Sequence, residues 1–288
     1  MYNLVFIVTY QNDYNIYSLL DSLKQNCHIK LLVILVNQTD FQTRINSDSY
    51  TDFVQIETSK LQLSVARNFA INHLLEKNIN FNHIMFIDDD SSFNKLFFEN
   101  YLSSVNINYN YIIDVFCLGT NKLYIKNSFL NKEEVILKDF RNVFSVNMII
   151  SKECFDNLKY FDPNLGVGTK YGSGEDLDYF IRAKNLDFYF QYNKDLYNFH
   201  PTANEKYENI SLECLIKRFI KYGDGVIYVL CKHGLYFYAF LTCIRGLLGA
   251  VLFFFKFKIK LSISYFISFI SRFTLMIRML LNHIYNGF

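Results

Sequence analysis

The chain has 288 residues, 51% of them hydrophobic and 18% aromatic, with a formal net charge of +2. That hydrophobicity excludes a disordered protein, and so small a charge gives no global reason to expect a nucleic-acid partner. The length suits one large domain with an appendage, or two small domains.

The N-terminus runs from "MYN" directly into the strand-like "NLVFIV" (3–8), with no basic n-region or small-residue cleavage site, so a cytoplasmic body is expected. "YNIYSLLDSLKQN" follows, placing Ile16, Leu19, Leu20 and Leu23 at the spacing of one helix face. "LLVILV" (31–36) and "FVQIE" predict two further strands. In "SVARNFAINHLLEKN" the spacing predicts a helix with Val65, Phe69 and Leu75 near one face and Ser64 as its N-cap. "HIMFI" (83–87) is a fourth strand and runs straight into "DDDSS". Later strands are expected at 111–118, 143–150 and 187–192, and helices after Ser151, over 175–184 and over 211–221. This alternation predicts an α/β fold: a mostly parallel central sheet with helices on both faces, whose ligands gather beyond the carboxyl ends of the strands.

Asp88, Asp89 and Asp90 stand at such an end. Three adjacent carboxylates repel one another and need a cation or a donor-rich ligand to hold them ionised. Hard oxygen donors suit Mg²⁺ or Mn²⁺, which fills its shell with phosphate oxygens and water. Alternation along an extended segment puts Asp88 and Asp90 on one side and Asp89 on the other. A second acidic group follows four glycines in "FDPNLGVGTKYGSGEDLDYFIRAKN" (161–185), where Glu175, Asp176 and Asp178 open a helix. Acids in a first turn favour the helix dipole, which accounts for them as caps but leaves the glycines unexplained.

Taken in order, "FIVTYQN", "VNQTD", "LSVARNFAIN", "FIDDD", the 161–185 segment, "LYNFHP" and "IKYGDGVIYVLCKHG" resemble the family 2 glycosyltransferases of GT-A fold, with a likeness spanning residues 3–234. The "GSGEDLDY" core is also similar to the Gly-Gly-Glu-Asp-Asp segment of β-1,4-galactosyltransferases, which share the fold. The resemblance implies a GT-A catalytic domain over 1–234. Thr9 and Tyr10 would flank the nucleobase of a nucleotide-sugar, with Tyr10 or its neighbour giving a stacking face. Asn37 stands where the family usually has an Asp on the base, and Arg67 would lie near the base or the diphosphate. Asp88 would contact the ribose or the metal shell, Asp90 would bind Mn²⁺ or Mg²⁺, and His200 would complete the metal shell. Asp176 would be the catalytic base of an inverting transfer, with Glu175 orienting the acceptor. A nucleotidyl- or phosphotransferase uses a similar carboxylate pair, and a non-catalytic sugar- or membrane-binding protein of the same fold is a further alternative. No GxxxxGK[ST] loop is present.

The tail differs in character. After Asp224 there are seven Lys or Arg and no Asp or Glu. "LYFYAFLTCIRGLLGAVLFFF" (235–255) is long enough to span hydrocarbon but carries Arg245 at its middle, and "KFKIK" leads into a helix with Ser264, Ser268, Ser271, Arg272, Arg278 and Asn282 in a narrow polar stripe. A membrane-associating region over 235–288 is therefore expected, lying in the interface on the cytoplasmic face with its cations reaching phosphates. The expected partners are a nucleotide-sugar donor, UDP-linked first, and a saccharide or lipid-linked acceptor for a surface polysaccharide or lipooligosaccharide. The six cysteines show no CxxC or zinc spacing and are expected as reduced thiols.

Overall fold

The computed structural model describes the chain except for residues 13, 42–44, 121, 125–132, 203–209 and 287–288. It divides into two compact units: Met1–Phe161 with Tyr179–Thr202, and Asp162–Asp178 with Ala203–Phe288.

The first unit is built on a seven-stranded sheet. Its strands are β1 (Tyr2–Tyr10), β2 (Leu31–Asn37), β3 (Thr51–Glu57), β4 (Phe81–Asp88), β5 (Asn110–Cys117), β6 (Met148–Ser151) and β7 (Phe190–His200). They lie in the order β3-β2-β1-β4-β6-β5-β7. All neighbours pair parallel except β6, which runs antiparallel to both β4 and β5. The helices are α1 (Ile16–Leu23), α2 (Leu63–Glu76), α3 (Lys95–Ser104) and α4 (Lys152–Leu158), with α5 (Glu175–Asn185) joining this unit from Tyr179 onward.

Alternation along β1 sends Leu4, Phe6, Val8 and Tyr10 into a cluster with α1 and α3, whose Leu19, Leu23, Phe97 and Phe98 are buried there. Val5 and Ile7 point to the other face, where α2 packs on β1 and β2. A sheet covered on both faces needs continuous apolar strands, hence the unbroken "LLVILV" of β2. Each such side chain contributes roughly 1.5–3 kcal/mol of burial.

Three local expectations are corrected. Ser64 is not the cap of α2: Gln62 holds that position, and Ser64 lies fully buried inside the helix. The buried face of α2 is Ala66, Arg67, Ala70, Ile71 and Leu74, while Phe69 is 43% exposed. Hydropathy pointed to the wrong face because a buried arginine occupies the right one. The strand expected over 143–150 is mostly two 3₁₀ turns, Leu137–Asn142 and Ser145–Asn147, leaving only the short β6. There Asn147 accepts from the Phe144 N–H and donates to the Asn142 carbonyl, offering the backbone a turn in place of a ladder.

In the second unit the helices are α6 (Leu212–Lys232), α7 (Tyr236–Phe255) and α8 (Ile259–Asn286). Helix α8 packs against both α6 and α7. Of the polar stripe of α8, expected to meet lipid phosphates, the first four residues, Ser264, Ser268, Ser271 and Arg272, are turned inward, while Arg278 and Asn282 are exposed. Ser264 and Ser268 are fully buried, Ser268 donating to the Phe219 carbonyl and Ser271 to the Asp224 carboxylate. Arg272 lies over Gly223 and Gly246. The outward faces are apolar: Phe237, Leu248, Phe254, Phe255, Phe257, Phe266 and Ile270 are all exposed. Among the described residues, Tyr236–Phe255 and Ile259–Tyr285 are long and apolar enough to cross a bilayer, by length and composition.

Candidate active site

Parallel pairing aligns the strand ends. Thr9 is in register with Asp88 across β1 and β4, and Tyr10 with Asn37 across β1 and β2. Chain direction therefore delivers Thr9, Asn37 and Asp88 to one edge, the carboxyl edge of the sheet.

Beyond β4 the chain turns sharply, the Ser91 N–H donating to the Asp88 carbonyl. Ser92 then exchanges two backbone hydrogen bonds with Phe199 of β7, each 2.9 Å. That clasp brings His200 beside the acids. Strand β7 reaches this point by a register shift against β5 between Ile113 and Asp114, which takes up extra residues around the buried Leu196. The strand expected over 187–192 extends to His200 for the same reason.

His200 Nε2 lies 3.0 Å from Asp90 Oδ1 and 3.5 Å from Asp88 Oδ2. One donor atom from each of the three residues falls within 4.8 Å of the others. Burial would lower the basicity of the imidazole, but hydrogen bonds to Asp88 and Asp90 outweigh it and lift its pKa to about 10. Two carboxylate oxygens and an imidazole nitrogen fit a small divalent cation, and the mixed donor set suits Mn²⁺ better than Mg²⁺, which prefers oxygen throughout.

Arg67 approaches from α2. Its side chain is almost wholly buried, with Nη2 2.9 Å from Ser145 Oγ and 3.5 Å from Asp88 Oδ1. The guanidinium sits 5.2 Å from the Phe161 ring centre and 6.0 Å from that of Phe86. A planar, permanently charged group tolerates such aromatic walls where an ammonium would not.

Tyr10 is corrected. It is 1% exposed, and its ring belongs to the core cluster, so it offers no stacking face to a base. Alternation had to put it there, two residues beyond the buried Val8. Asn37 is also buried: its Oδ1 accepts from the Thr39 N–H and hydroxyl, and its Nδ2 donates to the Phe41 carbonyl. An aspartate could not make that last bond, so the amide at this position shapes the loop after β2.

Several residues at this edge escaped the sequence reading. Gln38 accepts from the Leu61 N–H and Gln11 donates to the Leu61 carbonyl, tying the loop before α2 to the ends of β1 and β2. Tyr124 stands edge-on to His200 with ring centres 5.5 Å apart. Single hydroxyls and amides in loops carry no periodic signal, and no pattern would have found Gln11, Gln38, Tyr124 or Ser145.

In the second unit, Glu175 and Asp176 form the first turn of α5 directly after Gly174. Glu175 is buried and Asp176 partly so. Asp178, fully buried, is held by Lys232 Nζ at 2.8 Å and His233 Nε2 at 2.9 Å. No sequence pattern marks His233, and its contact with Asp178 is a finding of the structure.

No family model matches the chain, and no curated protein matches it in sequence. Solved structures do. TarS 1–349 from S. aureus in complex with UDP-GlcNAc aligns over 86% of this chain and 67% of its own, at 17% identity and a TM-score of 0.54. A second structure of S. aureus TarS 1–349 aligns over 76% of this chain and 65% of its own, at 18% identity and a TM-score of 0.52. The mannosyltransferase PcManGT from Pyrobaculum calidifontis, in complex with GDP-Man and Mn²⁺, aligns over 100% of this chain and 88% of its own, at 12% identity and a TM-score of 0.51. The chain thus spans about two thirds of the shorter TarS chain and 39% of the longer one. Its fold is the GT-A-like fold of these proteins.

Proposed function

We propose that the protein is a metal-dependent, inverting glycosyltransferase that moves a sugar from a nucleotide-diphosphate sugar, UDP-linked first, to a saccharide acceptor. The single observation that carries this reading is the Asp88–Asp90–His200 trio at the carboxyl edge of the sheet, next to the buried Arg67. The structural neighbours support it, two having been solved with nucleotide-sugars and one of these also with Mn²⁺.

Asp90, His200 and Asp88 would hold the ion. When bound, that ion supplies positive charge against the two phosphates of the donor and of the leaving nucleoside diphosphate. Arg67 orients the Asp88 carboxylate and adds a fixed cation near the diphosphate. Thr9 and the Asn37 loop are assigned to the nucleoside. Asp176 takes the proton from the acceptor hydroxyl as its oxygen attacks C1 from the face opposite the leaving group, which inverts that carbon. Glu175 orients the acceptor.

Chemistry is assigned to residues 1–234 and lipid contact to 235–288, with the protein on the cytoplasmic face of the membrane and a lipid-linked saccharide as acceptor for a surface glycan. The outward apolar faces of α7 and α8, together with Lys256 and Lys258 at the turn between them and Lys260 in the first turn of α8, support that placement.

The test is incubation of the full chain with a panel of nucleotide-sugars, with and without Mn²⁺, while nucleoside diphosphate release is followed. Mn²⁺-dependent release from one donor is expected. Pyrophosphate release from a nucleoside triphosphate would replace this reading by a nucleotidyltransferase, and neither release would leave a binding protein.

A further inference from the structure

The segment that carries the acid pair does not stand alone: residues 171–178 lie along one face of α6. The Tyr171 ring stacks on Tyr228 with centres 4.1 Å apart. Ser173 Oγ donates to the Tyr222 carbonyl at 2.8 Å. Gly174, at φ +96°, lies against the Gly225 carbonyl and Val229. Asp178 and Asp162 share the Lys232 ammonium, at 2.8 and 2.7 Å. On α6 the residues Tyr222, Gly225, Tyr228, Val229 and Lys232 recur at three- and four-residue steps, which is one helical stripe.

Two positions in this arrangement admit no substitute. A Cβ at Gly225 would run into the carbonyl and hydroxyl oxygens of Ser173, and a side chain at Gly174 would be strained by its left-handed backbone besides meeting α6. In a free helix alanine is preferred to glycine, so a glycine inside α6 calls for a reason, and close approach of the 171–178 strap supplies it.

We propose that α6 is the positioning element for Glu175 and Asp176, acting through Gly225 and Lys232 as positioning residues. This rests on the transferase reading for its kinetic consequence, but not for its structural one. The sequence motif "IKYGDGVIYVLCKHG" is then the bed on which the acidic turn is laid, and its two glycines serve different neighbours: Gly223 makes room for Arg272 of α8, Gly225 for the strap. Gly223, two residues before Gly225 on the helix, faces away from it and toward α8, which also meets Phe219 and Asp224.

The experiment compares the full chain with Gly225→Ala, Lys232→Met and Lys232→Arg. Hydrogen exchange of the amides over 171–178 should quicken about tenfold or more in Gly225→Ala and Lys232→Met, while amides of β1 and β4 keep their protection. With the productive donor, kcat should fall about tenfold or more, the donor KM and Mn²⁺ affinity should hold within about twofold, and Lys232→Arg should recover most of the loss. Unchanged protection over 171–178 in both damaging variants would overturn the proposal. So would loss of protection spread equally over the sheet, or a fall in donor affinity parallel to kcat. If the native chain turns over no nucleotide-sugar, the transferase reading fails, and the exchange pattern still decides whether α6 holds the strap.

Discussion

His200, the last residue of β7, places its Nε2 3.0 Å from Oδ1 of Asp90, just past the end of β4, although two other strands separate their own in the sheet. The reciprocal bonds between Ser92 and Phe199 make that approach possible. If the trio holds a divalent cation, Asp90→Asn and His200→Ala should each weaken Mn²⁺ binding by about 100-fold or more, removing a direct ligand being costlier than the 10–100-fold typical of outer partners. Titration of Mn²⁺ by calorimetry or electron paramagnetic resonance measures this. Thermal stability in the absence of metal should fall in both variants, because each removes one partner of the His200–Asp90 pair.

Arg67 acts on the same site with the opposite sign. Replacing it by Met removes a cation beside Asp88, so Mn²⁺ affinity without nucleotide should not fall, while affinity for a nucleoside diphosphate should drop about tenfold. The same change strands Ser145 and costs roughly 1–3 kcal/mol of stability, less than for a fully buried pair because Asp88 is partly exposed and regains water. Denaturant unfolding followed by circular dichroism checks the second figure.

Asp176→Asn should abolish transfer and leave donor binding nearly intact. A general base acts in the transition state, and its loss typically costs about 10²–10⁴ in rate. Single-turnover kinetics beside equilibrium binding of the donor separates the two effects, and wild-type turnover by the amide variant would remove Asp176 from the role.

The second unit should weaken in acid. Burial pushes the Asp162 carboxyl up, but the Lys232 ammonium and the Asn164 N–H outweigh it and hold its pKa below the ordinary 3.8. A depressed folded-state value means the contribution is present above pH 3.8 and is lost as pH falls through the lower folded-state value. Lys232, which burial alone would lower, is raised by Asp162 and Asp178, so its share is lost only in strong alkali, above its ordinary 10.5. Asp162→Asn should therefore flatten the acid limb of a melting-temperature profile while leaving the neutral plateau a few degrees lower.

Lipid contact is tested on the full chain by reversing Lys256, Lys258 and Lys260 to Glu. At about 1 kcal/mol for each basic residue near an anionic surface, binding to phosphatidylglycerol vesicles should fall by roughly 100-fold or more. Binding to neutral vesicles should change far less. Equal binding to anionic vesicles by both proteins would remove the electrostatic part of the membrane proposal.

The strand-helix alternation was readable because a sheet covered on both faces writes long apolar runs into the chain, and "NLVFIV", "LLVILV" and "HIMFI" all became strands of it. The edge on which Asp88 and Asp90 gather followed from chain direction alone. Reading failed where polarity and burial part company. Arg67 is charged yet buried, so the apolar pattern of α2 named Phe69 in its stead. Ser264, Ser268 and Ser271 are polar yet face inward, because in α8 Ser264 bonds the Lys260 carbonyl one turn back, Ser268 meets the Phe219 carbonyl and Ser271 meets Asp224, while Phe266 and Ile270 face out. Tyr10 was assigned by likeness to a role that its place in the alternation forbids.

Residues 162–178 are grouped with the C-terminal helices, and this bears on how the protein can be handled. Cutting away α7 and α8 to obtain a detergent-free protein would strip from α6 the serine and arginine anchors that steady its far side, and with them the backing of the turn that presents Glu175 and Asp176. Such a shortened chain should stay in solution yet turn over poorly even with a water-soluble acceptor, so its silence would misreport the chemistry of the whole. Exchanging outward phenylalanines such as Phe255 and Phe257 for polar residues is the sounder route to solubility, because it leaves those anchors in place.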